Sequence, residues 1–406
     1  MAKGSISNDG KFSYIDPLSG RTIHRLTNYR GHSNHLYFTD PCWIEGGPSF
    51  VFVSDRDGQS NLFRYDFPGE LTSGGTITQL TDRSGMNIEN ERVFDHRPQG
   101  AYSKANRKYY YWWQNVLYEL DMHDLSERIV FEADPDRVVG IHATTSADGL
   151  YICNTIRDRV ESDIPELEYP YFKFPELHPL QPTTQIIRIE VATGRSEVVH
   201  EDRFFTTHVN HSPALPEILT FCHEGPWNLV QQRIWGLDIQ TGKVWKIRPQ
   251  DDGKYSIGHE YWFSDGVHVG YHGHPRPDAD AGQEHVYGYS SWDNTERFET
   301  RFPFHSTHFA GNDAELLVGD GTPAVPTGGR WAVSSQPYIQ LFRKSGNDYT
   351  GPKLLATHRC TFNHQHSHCH PRFSPDGRHV LYVTDATGYA NIYLVAVGDF
   401  DDLPDV

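Results

Sequence analysis

The feature that most constrains the fold is a strand–turn–strand pattern that recurs along the whole sequence. Seven segments carry it: WIEGGPSFVFVSD (43–55), SKANRKYYYWW (103–113), TSADGLYICNT (145–155), SPALPEILTFC (212–222), FSDGVHVGYHG (263–273), AGNDAELLVGD (310–320) and FSPDGRHVLYV (373–383). Their spacing is roughly 45 to 65 residues, close to the about 40 to 50 residues of four strands in one propeller blade. Apolar and polar residues alternate in the stretches that follow, which is typical of β-strands. The repeat predicts an all-β chain folded as a seven-bladed β-propeller.

The repeat extends over the whole chain, so we predict a single domain over residues 1–406. An array of two-sheet sandwiches is the alternative, but it does not explain so regular a unit. The longer intervals predict loop insertions near residues 157–184 and 321–337. Loops of this length in a compact domain often act as lids over a functional site, although a surface insertion without a role is equally compatible with the sequence.

Composition and charge exclude several classes of partner. The chain has 22 Tyr, 22 Phe and 9 Trp, which favour half-buried strands, and a net charge of -17, which argues against binding nucleic acid or an anionic membrane. An anionic ligand therefore requires a local cluster of cations. The five cysteines form an odd set without close pairing, and no segment approaches the roughly 18 apolar residues of a membrane span. We expect a cytoplasmic protein with reduced thiols; the sequence indicates no oligomeric state.

A histidine precedes the turn in every predicted blade. In a propeller the innermost strand of each blade lines the central channel, so residues a fixed distance before the turn are expected to converge there. The histidines about five to eleven residues before the turns are His35, His96, His142, His208, His259, His308 and the pair His368 and His370. A single histidine here is often a structural residue that hydrogen-bonds an adjacent blade. One in each blade is more typical of a metal site or an acid–base site.

Four of the predicted channel residues have the chemistry of a metal site. His368 and His370 are two residues apart, so on a strand both side chains project to the same side. His259, in GHEYW, comes from another blade, and Gln365 offers an amide oxygen just before the histidine pair. Imidazoles with one oxygen ligand suit Mn, Fe, Ni or Zn better than Ca or Mg. Cys369 is expected on the opposite face of the strand.

Several of these segments resemble one known family. FCHEGPWNLVQQRIW (221–235), GHEYWFSDG (258–266), THFAGNDAELLVGDG (307–321) and QHSHCHPRFSPDGRHVLYVTD (365–385) are similar to segments of the oligogalacturonate lyases, and HSNHLYFTD (32–40) looks like their first blade. The CHEGP and Q-x-x-H-x-H-P elements are specific, whereas SPDG occurs in many propellers. The resemblance implies a cytoplasmic seven-bladed propeller that depolymerises short pectic oligosaccharides.

The resemblance also implies roles for individual residues. It implies a Mn²⁺ site formed by His259, Gln365, His368 and His370, with Zn, Fe and Ni compatible with the same ligands. It further implies a histidine base, for which the alignment favours His208, with His223 and His211 as rivals. The implied reaction is β-elimination from a 4-linked uronate, in which a base removes the C5 proton and the C4–O4 bond breaks. A cation on the carboxylate stabilises the enolate-like transition state, and a neutral histidine accepts the proton.

The chain departs from the family pattern at two positions. His364 and Gln185 stand where the relatives, as aligned, carry arginines, and arginine is the usual partner of a substrate carboxylate. The arginines that offer a replacement are Arg157, Arg159, Arg188 and Arg330, although each is equally typical of a blade surface. We predict His35, His142, His308 and Arg188 as substrate-binding residues for a small anionic oligosaccharide. The alternatives are a metal-dependent hydrolase or isomerase acting on another sugar acid, and a TolB-like propeller that binds a protein.

Overall fold

Seven antiparallel sheets make up the fold. The computed structural model describes residues 2–44, 48–84, 98–140, 142–160, 175, 178–276, 285–322, 336–363 and 367–406. Within these ranges, 32 strands form the seven sheets, one for each predicted blade. The fold class predicted from the repeat, an all-β seven-bladed propeller, is confirmed. Most residues of the two predicted insertions lie outside the described residues.

Two compact units can be distinguished along the chain. The first comprises Met1–Phe38, Cys42–Ser84 and Phe302–Val406, and the second comprises Thr39–Pro41 and Gly85–Arg301. The prediction of a single domain stays a prediction. In the ranges given above, the structure contains no helix that is both long and apolar enough to cross a membrane.

The first unit contains three sheets. The first sheet is built from β1 (Ile6–Ser7), β4 (Ser33–His35), β5 (Trp43–Ile44), β6 (Ser49–Ser54), β7 (Asn61–Asp66) and β8 (Thr76–Gln79). The second is built from β2 (Phe12–Ile15), β3 (Thr22–Arg25), β30 (Arg372–Phe373), β31 (His379–Thr384) and β32 (Asn391–Ala396). The third is built from β26 (Phe309–Ala310), β27 (Leu316–Gly319), β28 (Tyr338–Ser345) and β29 (Asp348–Thr357). Because β3 pairs with β32, strands from the two ends of the chain share one sheet.

The second unit contains four sheets. One is built from β9 (Gln99–Ser103), β10 (Lys108–Trp113), β11 (Val116–Asp121) and β12 (Glu127–Glu132). The next is built from β13 (Arg137–Val139), β14 (Thr144–Thr145), β15 (Tyr151–Asp158), β16 (Thr183–Glu190) and β17 (Ser196–Arg203). A third sheet is built from β18 (Thr206–His211), β19 (Ile218–His223), β20 (Ile234–Asp238) and β21 (Lys243–Lys246). The fourth is built from β22 (Tyr255–Trp262), β23 (His268–Pro275), β24 (His285–Ser291) and β25 (Arg297–Phe302). Short 3₁₀ turns occur at Arg56–Gly58 and, in this unit, at His178–Leu180.

The turn of the repeat has the same hydrogen bonds in different blades. In the SPDG turn, Ser374 Oγ donates to Asp376 Oδ1 at 2.5 Å, and the hydroxyl oxygen accepts from the backbone N–H of His379 at 3.0 Å. Ser146 makes equivalent bonds to Asp148 and Tyr151 at 2.6 and 3.0 Å in the SADG turn. The glycine that completes each turn has a φ near +70°, a conformation that residues with a Cβ rarely adopt. These turns set the register of the strands that follow.

Two inner strands of the second unit are interrupted by bulges, and each bulge carries a histidine. The pairing of β18 with β19 shifts between Thr207 and Asn210, and that of β22 with β23 shifts between Gly258 and Tyr261. His208 and His259 lie in these bulges with φ of 49° and 51°. A positive φ is uncommon for a residue with a side chain, and bulges often re-aim a side chain at a functional site. The two histidines therefore occupy equivalent positions in consecutive sheets.

Candidate functional site

Three histidines of the first unit form a group that could hold a metal ion. One nitrogen from each of His308, His368 and His370 lies within 4.8 Å of the other two. The imidazole of His308 lies 4.3 Å from that of His370 and 5.5 Å from that of His368, measured between ring centroids. His308 and His370 are buried and His368 is half-buried. Three nitrogen donors therefore converge on one small volume.

A buried carboxylate orients His308 in this group. The Oδ2 atom of Asp320 lies 2.6 Å from Nδ1 of His308, and Oδ1 accepts the backbone N–H of His308 at 2.8 Å. Asp320 has no exposed surface. Since a carboxylate is an acceptor, Nδ1 of His308 carries the proton and Nε2 is the nitrogen that can bind a metal. A carboxylate behind a histidine ligand is the common arrangement at protein metal sites, because it fixes the tautomer and raises the basicity of the ligand.

His368 and His370 lie in the irregular segment that leads into β30, rather than in a strand as the sequence predicted. His370 has a φ of 41°, and the rings of Tyr37 and Phe38 pack against its imidazole at 5.0 and 5.9 Å. Cys369 between them is fully buried in the apolar core of the unit, in agreement with its predicted orientation away from the histidines. The backbone conformation therefore still turns the two imidazoles to one side and the thiol to the other.

The donor set fits a transition metal. Three imidazoles, one of them backed by a carboxylate, suit Mn, Fe, Ni or Zn better than Ca or Mg. The structure brings His308, predicted from the sequence to bind substrate, into the group with the predicted ligands His368 and His370. Gln365, predicted as the oxygen ligand, lies outside the described residues, as does the channel histidine His96. Nothing in the pattern of the sequence distinguished His308 from the other channel histidines.

A second group of ligand-type residues, in the second unit, is an ion-paired network. Nε2 of His208 lies 3.4 Å from Oε2 of Glu224, and Arg233 donates to Oε1 of Glu224 at 2.7 Å and to Oε2 of Glu260 at 3.2 Å. Burial alone would raise the pKa of Glu224, but the Arg233 guanidinium and His208 bring it down to about 2. Burial raises the pKa of Cys222, which also lies in this group, well above its ordinary value. A neutral thiol and a carboxylate bound to arginine are poor metal ligands, so this network is structural or serves His208.

His142 stacks on His208. The two imidazole centroids are 4.9 Å apart with an angle of 22° between the ring planes, and Nδ1 of His142 lies 3.2 Å from Oδ2 of Asp40. Each of the stacked imidazoles therefore has its own carboxylate partner, Asp40 or Glu224. The carboxylates and Arg233 were not predicted from the sequence, although Glu224 is part of the CHEGP element.

His259 has a different environment from His208. It is half-buried, and its Nδ1 lies 3.0 Å from Nε2 of the buried His272. The indole of Trp227 packs edge-on against it, with the ring centroids 5.5 Å apart. One partner of this imidazole is therefore another imidazole. The role predicted for His259, a metal ligand, stays a prediction.

The two rival bases have structural contacts. Nε2 of His211 lies 3.2 Å from Sγ of Cys153, and burial lowers the pKa of His211 to about 4. His223 hydrogen-bonds Asp202 through Nε2 at 2.8 Å and stacks on Phe204 at 4.0 Å. Both side chains thus have partners typical of a blade interior.

Two of the predicted substrate-binding residues also have partners within the blades. His35 is 2% exposed, and burial, followed by the charge of Arg372, lowers its pKa to about 3. Arg188 donates to Glu197 at 2.7 Å and lies over the ring of Tyr151 at 4.5 Å. The period-2 pattern of β16 and β17 brings Arg188 opposite Glu197, a pairing that explains its position without a ligand.

Known proteins resemble this chain over its whole length. The family model described as Oligogalacturonate lyase matches residues 1–400. The chain is 26% identical to the oligogalacturonide lyase of Pectobacterium atrosepticum and 25% identical to the oligogalacturonate lyase of Dickeya dadantii, each over 98% of this chain and 99% of the relative. A solved structure of an oligogalacturonate lyase in complex with manganese matches with a TM-score of 0.80 and 22% identity, over 100% of this chain and 99% of that one. That structure and this chain share one fold.

Proposed function

Because this chain belongs to the oligogalacturonate lyase family, we propose that it cleaves short oligogalacturonates by metal-dependent β-elimination. The products are a shortened oligosaccharide and a 4,5-unsaturated uronate. The observation that carries the proposal is the group formed by His308, His368 and His370, with Asp320 behind His308. A propeller that only binds a partner protein has no need of three converging imidazoles. The hydrolase, isomerase and protein-binding alternatives are not favoured, since the family model matches residues 1–400.

The metal is proposed to be manganese, held by His308, His368 and His370, with Gln365 as the predicted oxygen ligand and His259 as a further predicted ligand. The solved structure of a related lyase in complex with manganese supports this choice, and the imidazole-rich donor set is compatible with it. When bound, the cation would neutralise the uronate carboxylate and so stabilise the negative charge that develops as C5 loses its proton. The three histidines would supply nitrogen ligands. Asp320 keeps His308 in the tautomer in which Nε2 is the ligand atom.

The base is proposed to be His208, as predicted from the sequence, with His223 and His211 as rivals, and His259 keeps its predicted role as a metal ligand. His208 lies in the bulge of β18, stacks on His142 and has Nε2 3.4 Å from Oε2 of Glu224, and these contacts hold its imidazole in place. When the base accepts the C5 proton, the C4–C5 double bond forms and the C4–O4 bond breaks. The proton that the departing O4 requires comes from water. A neutral imidazole is suited to this task at neutral pH.

Metal content and turnover, measured on the same protein samples, separate these roles. We expect His208→Asn to retain wild-type metal content and to lose about 10²- to 10⁴-fold in kcat, the range for a general base. His259→Asn is the comparison, and it is expected to lose metal. Wild-type metal content in His259→Asn would remove this residue from the ligand set, and a larger loss of kcat in His211→Asn or His223→Asn would make that residue the base.

The substrate is tested with a panel of uronide oligomers, including galacturonate, glucuronate and mannuronate series, incubated with Mn²⁺ while the absorbance of the new double bond is followed. We expect the signal with oligogalacturonate. A signal from another uronide alone would keep the reaction and change the substrate. The cytoplasmic location implied by the resemblance stays a prediction.

A further inference from the structure

The CHEGP element continues into a tryptophan whose position the base and metal assignments do not explain. Trp227 follows β19 in a turn closed by hydrogen bonds from the backbone N–H groups of Leu229 and Val230 to the carbonyl oxygen of Pro226, at 2.9 and 3.1 Å. The carbonyl oxygen of Trp227 accepts a hydrogen bond from Ser256 Oγ in β22 at 2.6 Å. The turn is therefore fastened to the strand that carries His259.

The indole of Trp227 lies against a row of imidazoles from the neighbouring sheet. Its centroid is 4.9 Å from that of His274, 5.5 Å from that of His259 and 6.1 Å from that of His272. His274 in turn contacts His285 on the next strand, with the ring centroids 4.2 Å apart. Trp227 itself is half-buried. One part of the indole is thus supported by the histidines of β22 and β23, and part of its surface reaches solvent.

The strand below Trp227 leaves room for the indole. A Cβ added to Gly258, the residue before His259, would lie 2.8 and 2.9 Å from the Cζ2 and Cη2 atoms of Trp227. Real Cβ contacts are not that short, so any larger residue at this position would displace the indole. The residue after His259, Glu260, is bound by Arg233, which also binds Glu224 of the CHEGP element. The segment from Glu224 to Trp227 therefore fixes both neighbours of His259.

We propose that Trp227 is a sugar-stacking residue, which takes the apolar C–H face of a pyranose ring of the substrate beside His259. The inference rests on the proposed function, because it assigns a subsite to that substrate. A uronate ring is polar at its edge but presents C–H groups on one face, and the electron-rich face of an indole attracts such groups. Trp offers the largest rigid surface of any side chain at little cost in conformational entropy.

Binding and catalysis are measured separately to test this assignment. Digalacturonate is titrated into chelator-treated protein, which is expected not to turn it over, and the affinity is read by calorimetry and by intrinsic fluorescence. Steady-state kinetics are then measured with Mn²⁺ present. We expect Trp227→Ala to weaken binding and to raise KM by about tenfold, and Trp227→Phe by about threefold, with kcat changed less than KM. Gly258→Ala is expected to weaken binding as well, because its Cβ displaces the indole.

Trp245→Phe is the matched control, since this indole is also half-buried but lies on β21, where its Nε1 donates to the carbonyl oxygen of Trp292. It is expected to leave binding and KM unchanged. Unchanged affinity and KM in Trp227→Ala, in protein with wild-type metal content, would overturn the proposal. So would a fall in kcat with unchanged affinity, since Trp227 would then act only through His259. If the wild-type protein binds digalacturonate but forms no unsaturated product, the proposed function fails while the stacking result still stands.

Discussion

The carboxylate of Asp320 binds both the side chain and the backbone of His308, with Oδ2 2.6 Å from Nδ1 and Oδ1 2.8 Å from the backbone nitrogen. The same carboxylate thus fixes the position of His308 and the nitrogen that it presents. Since Asp320 follows β27 and His308 precedes β26, the pairing of these two strands brings them together. The hairpin formed by β26 and β27 therefore positions one of the three histidines of the group.

Asp320→Asn tests this arrangement. An amide can donate to Nδ1 and so favour the wrong tautomer, and second-sphere changes of this kind weaken metal affinity by about 10- to 100-fold. We expect a loss in this range for Mn²⁺, measured by competition with a chromophoric chelator. Asp313→Asn, at an exposed position of the same hairpin, is the control. Equal affinity in the two variants would show that Asp320 does not support a metal ligand.

Removal of a ligand is expected to have a larger effect. His308→Ala, His368→Ala and His370→Ala should each retain less than about a tenth of the wild-type metal after dialysis, because each takes away a nitrogen donor. Metal content is measured by elemental analysis of the folded protein. His379→Ala, a half-buried histidine on β31, should keep the wild-type content. Full metal content in His308→Ala would remove this residue from the ligand set.

The network around Glu224 makes a prediction for stability. Glu224→Gln removes one of the two carboxylates that bind the buried Arg233, and Glu260 remains as the other. We expect this variant to lose about 3 kcal/mol in the free energy of unfolding, because removing one partner of a buried ion pair is costly. The measurement is urea unfolding at neutral pH. Glu197→Gln removes a carboxylate from Arg188 at an exposed site, and is expected to cost less than about 1 kcal/mol. Equal losses would mean that the Glu224 network contributes no more than a surface pair.

Buried neutral histidines predict a loss of stability in acid. Burial lowers the pKa of His211 to about 4, so between about pH 6.5 and pH 4 the unfolded chain binds a proton that the folded chain does not. The free energy of unfolding therefore falls as the pH falls, by about 1.4 kcal/mol per pH unit for this group. In His211→Gln the pH dependence over this window should be less steep by that amount. His123→Gln, at an exposed position, should leave the slope unchanged, and an unchanged slope in His211→Gln would contradict the buried neutral state.

The fold was predictable because its signals are local. The Ser–x–Asp–Gly turns at Ser146 and Ser374 repeat the same hydrogen bonds, so the repeat in the sequence corresponds to a repeated structure. The pair His368 and His370 was predictable for the same reason, since the two residues are only two positions apart. Their neighbour His308 belongs to a different sheet, and no local sequence pattern indicates which channel histidine contacts this pair.

Burial and ion pairing explain why other residues predicted from the sequence to form the site have structural contacts instead. His35 precedes its turn like the other channel histidines, but burial lowers its pKa to about 3 and so keeps it neutral. Arg188 is a reasonable partner for a carboxylate, yet the register of β16 and β17 supplies that carboxylate from Glu197. The bulge at His259 and the partner His272 depend on the pairing of β22 with β23, which the spacing of histidines does not encode.

The most direct test of the account is a titration of metal-depleted protein with Mn²⁺ in the presence of oligogalacturonate, while the absorbance of the 4,5-unsaturated product is followed. The account predicts that the rate rises from background and saturates at one Mn²⁺ per chain, and that His368→Ala with His370→Ala in the same chain abolishes this response. Formation of the unsaturated product at the full rate in metal-depleted protein, or cleavage without a new double bond, would contradict it.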